Sequence, residues 1–120
     1  VSLMFAADRQ LDDILAESLE SRWARHIQMR DMTHAWAHNR GLALYAQEGY
    51  RSPTVTTIVN TRSFDVDEMA RFMSGKGFSM DKGYGKIKGK TFRIAHMGDM
   101  TLATLEEVLS GLDEFMATLN

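Results

Sequence analysis

Cysteine is absent from the 120 residues, which excludes disulfides, thiolate metal sites and a cysteine nucleophile. A reducing cytosol suits such a chain, so a cytoplasmic location is expected. Long apolar runs are lacking as well. None approaches the length of a membrane span, and the N-terminus has no charged region leading into an apolar one, as a secretory signal would. An excess of one charge sign is also missing. The formal net charge is −2 and the isoelectric point about 6.1, with acids and bases mixed along the chain, which argues against a nucleic-acid or anionic-membrane partner. The sequence begins with Val1 rather than methionine, so a processed chain or a piece of a longer one is expected. No internal repeat or low-complexity segment occurs.

What is present suits one domain over residues 1–120, a length that buries roughly two-thirds of the surface its unfolded chain exposes. Residues 1–7 are apolar without an evident partner in the chain, and read as a segment that follows or packs on other protein. Leu11, Ile14, Leu15, Leu19, Trp23 and Ile27 then recur at three- and four-residue spacing, one apolar stripe on a helix. Acidic Asp12, Asp13, Glu17 and Glu20 precede basic Arg22, Arg25 and Arg30, the order that suits a helix dipole. Helical composition continues through Trp36, Leu42, Leu44 and Ala46 to Gly49 as the terminating residue. This predicts one helix of about 40 residues, or two with a break near 39–41, long enough to span between domains or pack on a partner.

Pro53 ends the connection, and residues 54–60, TVTTIVN, form the clearest strand. Asp65 with Glu68 three residues on predicts a capped helix over Val66, Met69, Phe72 and Met73, closed by Gly75 and Gly77. Residues 78–81 read as a short strand, 83–89 as a loop and 91–97 as the third strand. Thr101 can cap a final helix carrying Leu105, Val108, Leu109, Leu112, Phe115 and Met116. The expected fold class is α/β in the α+β two-layer sense: a long N-terminal helix and a small, mainly antiparallel three-stranded sheet covered by helices.

Chemistry concentrates in residues 83–98, GYGKIKGKTFRIAHMG. Gly83, Gly85 and Gly89 run G-x-G-x-x-x-G, one residue too long for a dinucleotide fingerprint. Tyr84 stands where a P-loop needs its first glycine, and an alternating strand follows where both motifs need a helix. Lys82, Lys86, Lys88, Lys90 and Arg93 form the one basic cluster, either an anion site or a solvated hairpin. Alternation places Thr91, Arg93, Ala95 and Met97 on one strand face and Phe92, Ile94 and His96 on the other. Arg93 would offer a planar fork to a carboxylate or phosphate, or else make a surface ion pair. His34 and His38 have metal-compatible spacing but no obvious third ligand; His96 is a partly buried candidate and His26 a helix-surface residue. The nine methionines are scattered over core-type positions as gap-fillers.

The run Phe92-Arg93-Ile94-Ala95-His96-Met97-Gly98 resembles the F/W-R-I-G-x-M/L-G signature near the C-terminus of class V pyridoxal-phosphate aminotransferases, the alanine–glyoxylate and serine–pyruvate subgroup above all. Residues 1–7 resemble the segment entering that family's small domain. Arg22 to His26 is similar to its R-x-x-R-H helix, Thr54 to Ile58 to its V-T-x-I strand, and Gly83 to Gly89 to its glycine hairpin. Ala95 departs from the usual glycine. The resemblance implies a small domain whose Arg93 binds the α-carboxylate of a small amino-acid or 2-oxo-acid substrate. It also implies a PLP-binding large domain as partner, and a homodimer when complete. The family's Schiff-base lysine and phosphate-binding residues belong to the large domain, so the resemblance implies that this chain holds no catalytic, cofactor-binding or metal residue and is inert alone. The alternatives are the small domain of a class V desulfurase or lyase, and a non-catalytic interaction module.

Overall fold

The first 39 residues are helical but broken once, at Ser18. Helix α1 spans Ser2–Glu17 and α2 spans Leu19–Asn39. Ser18 takes φ 74° and its hydroxyl accepts the Ser21 N–H at 3.2 Å, so the break doubles as the N-cap of α2. The break expected near 39–41 is instead the end of the helix. Gly41, at φ 69°, donates to the His38 carbonyl and Leu42 donates to Ala37, a Schellman closure. The helical reading of residues 42–49 is therefore corrected, since Ala43–Leu44 forms a two-residue strand, β1. Leu42 and Leu44 lie two apart, which is the strand period and not the helical one.

Strand β2 spans Val55–Val59 and β3 spans Thr91–Ala95, in an antiparallel sheet of order β1-β2-β3. Thr57 lies opposite Arg93 and Ile58 opposite Phe92. Residues 78–81 are not a strand; their one ladder contact is a bridge between Asp81 and Arg93 on the outer edge of β3. Glycine at 77 and 83, both at positive φ, keeps that segment from running on as a regular strand. Helix α3 spans Val66–Gly75 and is capped by Asp65, which accepts from the N–H groups of Asp67 and Glu68. Helix α4 spans Leu102–Ala117, with Thr101 accepting the Thr104 N–H as expected. The computed structural model describes residues 1–119; Asn120, the last residue of the expected domain, lies outside them.

The core forms between one face of the sheet and helices α2, α3 and α4. Ile58, Phe92 and Ile94 meet Met69, Met73, Leu105, Leu112 and Phe115, all buried. Phe64 packs edge-on against Phe115 at 5.4 Å and tilted against Phe92 at 5.8 Å. Asp113 of α4 accepts from the Trp36 indole and from Arg40 Nε and Nη2, the last two at 2.6 Å, tying the end of α2 down. Helix α1, by contrast, has no buried residue. The apolar stripe read from the sequence exists, but Leu11, Leu15, Leu19 and Trp23 are exposed, as are Leu3, Met4 and Phe5. It faces away from the chain's own core.

Candidate functional site

Strand β3 positions Arg93. Its alternation buries Phe92, Ile94 and His96 under the helices, and leaves Arg93 half-buried and Ala95 exposed on the other face. The faces fall as the spacing predicts. Because β3 is an outer strand, Arg93 also reaches the edge of the sheet, where it meets the turn of residues 81–89.

Asp81 is the residue waiting there. Arg93 Nε donates to Asp81 Oδ1 at 2.9 Å and Nη2 to Oδ2 at 2.5 Å, a side-on bidentate pair. The backbones bridge as well, with Arg93 N–H donating to the Asp81 carbonyl at 3.2 Å. Asp81 Oδ1 also accepts the Gly83 N–H at 2.8 Å. The Arg93 guanidinium, helped by that N–H, holds the Asp81 carboxyl below its ordinary range against the opposing effect of burial. Tyr84, itself exposed, places its ring centroid 5.1 Å from the Arg93 guanidinium carbon, within cation–π range. Sequence reasoning missed Asp81 and Tyr84. The one available signal was position, since Asp81 and Tyr84 flank the first glycine of the hairpin that folds back on Arg93.

The remaining candidates separate by environment. His96 is fully buried, its Nδ1 donating to the Pro53 carbonyl at 3.1 Å and its Nε2 accepting from the Thr56 hydroxyl at 2.8 Å. Burial lowers its pKa, so it is a neutral strut between strands rather than a proton carrier. His26 is corrected from surface to buried; it is 9% exposed and its Nε2 has no hydrogen-bond partner. Its burial follows from its place on the face of α2 that also buries Met29, Thr33 and Trp36. His34 and His38 stay on α2, and no group of three or more metal-ligating side chains converges among the described residues.

The R-x-x-R-H segment serves the same corner. Arg25 donates to the carbonyls of Gly98 at 3.0 Å and Met100 at 2.5 Å, and both Arg22 and Arg25 grip Glu17. Bonds from Arg25 first and Arg22 second pull the Glu17 pKa down to about 2. Arg22 reaches Asp99 as well. This network pins the turn that follows β3 to the α1–α2 junction, and so fixes one end of the strand that carries Arg93.

The lysines all fall between Lys76 and Lys90. Lys76 pairs with Glu114 at 2.5 Å, Lys82 pairs with Asp67, and Lys86, Lys88 and Lys90 are exposed. None of the five lysines is buried among the described residues.

The two-layer α+β arrangement matches that of solved aminotransferases. The solved alanine–glyoxylate aminotransferase of Nostoc sp. superposes with a TM-score of 0.81 over 88% of this chain and 29% of its own, at 25% identity. The sequence relatives then narrow the likeness. An uncharacterized aminotransferase of Methanocaldococcus jannaschii is 32% identical over 120 residues, 99% of this chain and 29% of that protein. The small subunit of a soluble hydrogenase of a Synechococcus species is 28% identical over 120 residues, 99% of this chain and 31% of that protein. Serine–glyoxylate aminotransferase of Arabidopsis thaliana is 30% identical over 115 residues, 94% of this chain and 29% of that protein. No protein-family model matches. The chain is homologous to a segment of aminotransferases, as the run FRIAHMG led one to expect, and spans under a third of the length of these relatives.

Proposed function

We propose that this chain is the substrate-carboxylate-binding small domain of a PLP-dependent aminotransferase. The enzyme would move an amino group from alanine or serine to glyoxylate or pyruvate. The observation that carries the reading is Arg93, a half-buried guanidinium on a rigid outer strand whose bidentate fork is already in carboxylate-binding geometry. In that role Arg93 fixes a substrate by its carboxylate, and so sets the direction of the Cα–H bond, which is positioning catalysis. Arg22, Arg25 and Glu17 hold the turn after its strand. The relatives' names support glyoxylate as acceptor and serine as donor.

The same reading makes the chain inert alone. The five lysines lie on exposed or half-exposed surface, which supports assigning cofactor chemistry to a larger partner domain. It also supports reading the uncovered stripe of α1 and α2 as the surface that domain covers, with a homodimer as the complete assembly. The stripe favours a second reading in parallel, a non-catalytic module that docks on another chain.

The test is made on the polypeptide as its gene encodes it, assayed with serine or alanine and glyoxylate. Arg93→Lys should raise the amino-acid KM by about tenfold or more with a smaller change in kcat, because a two-bond fork becomes a point charge. An unchanged KM would remove the carboxylate role. Borohydride reduction of the 120-residue chain after incubation with pyridoxal phosphate should yield no stoichiometric pyridoxyl-lysine; one such lysine, with turnover, would sink the claim of inertness.

A further inference from the structure

Arg93 already holds a carboxylate, that of Asp81, by the edge an incoming substrate would use. The pair differs from the other arginine–carboxylate contacts of the molecule. Arg40–Asp113 joins α2 to α4, and Arg25–Glu17 joins α2 to the end of α1. Arg93 and Asp81, however, are joined through their backbones without the help of their side chains. The ion pair is thus poorly placed to be needed for the fold. Its side chains are also 36% and 32% exposed, so a small solute reaches them.

Resting on the reading of Arg93 as the substrate-carboxylate ligand, we propose that Asp81 is an internal competitor for that site, filling the Arg93 fork until a substrate carboxylate displaces it. Asp81 can be released at limited cost. Its Oδ1 keeps the Gly83 N–H when Arg93 lets go, and its exposed side takes up water in place of the guanidinium. Sharing the arginine is disfavoured. A second carboxylate on the remaining Nη edge would lie within roughly 6 Å of Asp81, where like charges oppose each other across a partly desolvated surface. Tyr84 stands with its ring 5.1 Å from the guanidinium carbon and narrows the approach on that side. Asp81 therefore weakens binding of any monocarboxylate at Arg93, and makes the empty site electrically neutral.

Acetate is the probe, titrated into the 120-residue chain while the backbone N–H resonances of Gly83 and of position 93 are followed, signals that every variant retains. In Asp81→Asn, which can retain the Gly83 contact without the charge, acetate should bind about tenfold tighter than in the wild-type chain, the scale of one charge-assisted hydrogen bond. Adding Arg93→Gln to that variant should abolish the gain. Asp81→Ala repeats the measurement if the asparagine variant fails to give a folded spectrum. Equal or weaker acetate binding after either Asp81 substitution, or no binding to any of these chains, overturns the competitor role. If Asp81→Asn binds tighter but Arg93→Gln does not remove the gain, Arg93 is not the carboxylate ligand and both readings fall; if acetate binding depends on Arg93 but not on Asp81, only the competitor is lost.

Discussion

His26 and His96 are enclosed in the fold as neutral imidazoles, and this gives the molecule a direction in pH. Desolvation lowers the pKa of each, with neighbouring Arg25 and Arg22 adding to the effect at His26. In the unfolded chain both titrate near 6.5. Below that value the unfolded state binds more protons than the folded one, so stability rises with pH; it is lost as pH falls from about 6.5 toward the folded pKa values. Each histidine contributes a slope of up to about 1.4 kcal/mol per pH unit in that window. Urea unfolding at pH 7.5 and 5.5 should show a lower midpoint at the acid value. His26→Leu removes a buried nitrogen that has no partner, a group that costs about 1–3 kcal/mol to leave unsatisfied. It should match or exceed the wild type at pH 7.5 and exceed it clearly at pH 5.5. A midpoint independent of pH would contradict the account. Arg93 was legible because it lies in a local, alternating and family-like run. Asp81 was not, because its meeting with Arg93 depends on how a turn of several residues folds back.

At the scale of elements, the turn between Asp81 and β3 hinges on Gly83. A Cβ there would lie 2.5 Å from Thr91 Oγ1 and 2.9 Å from the Ile87 carbonyl oxygen, on a backbone at φ 80°. Gly85, at φ 54°, would meet nothing within 4 Å. Gly83→Ala should therefore cost roughly 2–3 kcal/mol and Gly85→Ala about 1 kcal/mol, the former combining a clash with left-handed strain and the latter strain alone. Thermal melts of the two variants check the order, and the Arg93 Nε–H shift should move only in the first, since Gly83 also anchors Asp81. The elements that sequence reasoning recovered, β2, β3, α3 and α4, are those whose caps and periodicity are local. Those it misplaced were settled by distant partners. The strand β1 exists because Gly41 reverses the chain onto Val59 and Ile58, and α1 ends at Ser18, where two arginines fold back on Glu17.

At the scale of the molecule, one long side is uncovered. Leu3, Phe5, Leu15 and Trp23 are each more than half exposed along α1 and the start of α2, and the molecule extends 49 Å in its longest direction against 31 and 29 Å in the others. A run of apolar side chains of this kind is a contact surface or a liability. Leu15→Lys with Trp23→Lys should abolish concentration-dependent association of the isolated chain, measured by analytical ultracentrifugation. The unfolding free energy should change by less than about 0.5 kcal/mol, because neither side chain is in the core. A large loss of stability would show that the stripe supports the fold itself. The periodicity of the stripe was readable from the sequence, but its destination was not, since spacing says which residues share a face and nothing about what that face meets.

The two tryptophans of α2 stand at opposite extremes of solvation. Trp23 is 59% exposed on the uncovered side, while Trp36 is 6% exposed and bonded to Asp113. They act as two optical reporters on one helix, and one light source separates two events. Covering the stripe shifts the emission of Trp23 to the blue and shields it from acrylamide; loosening the core shifts Trp36 to the red.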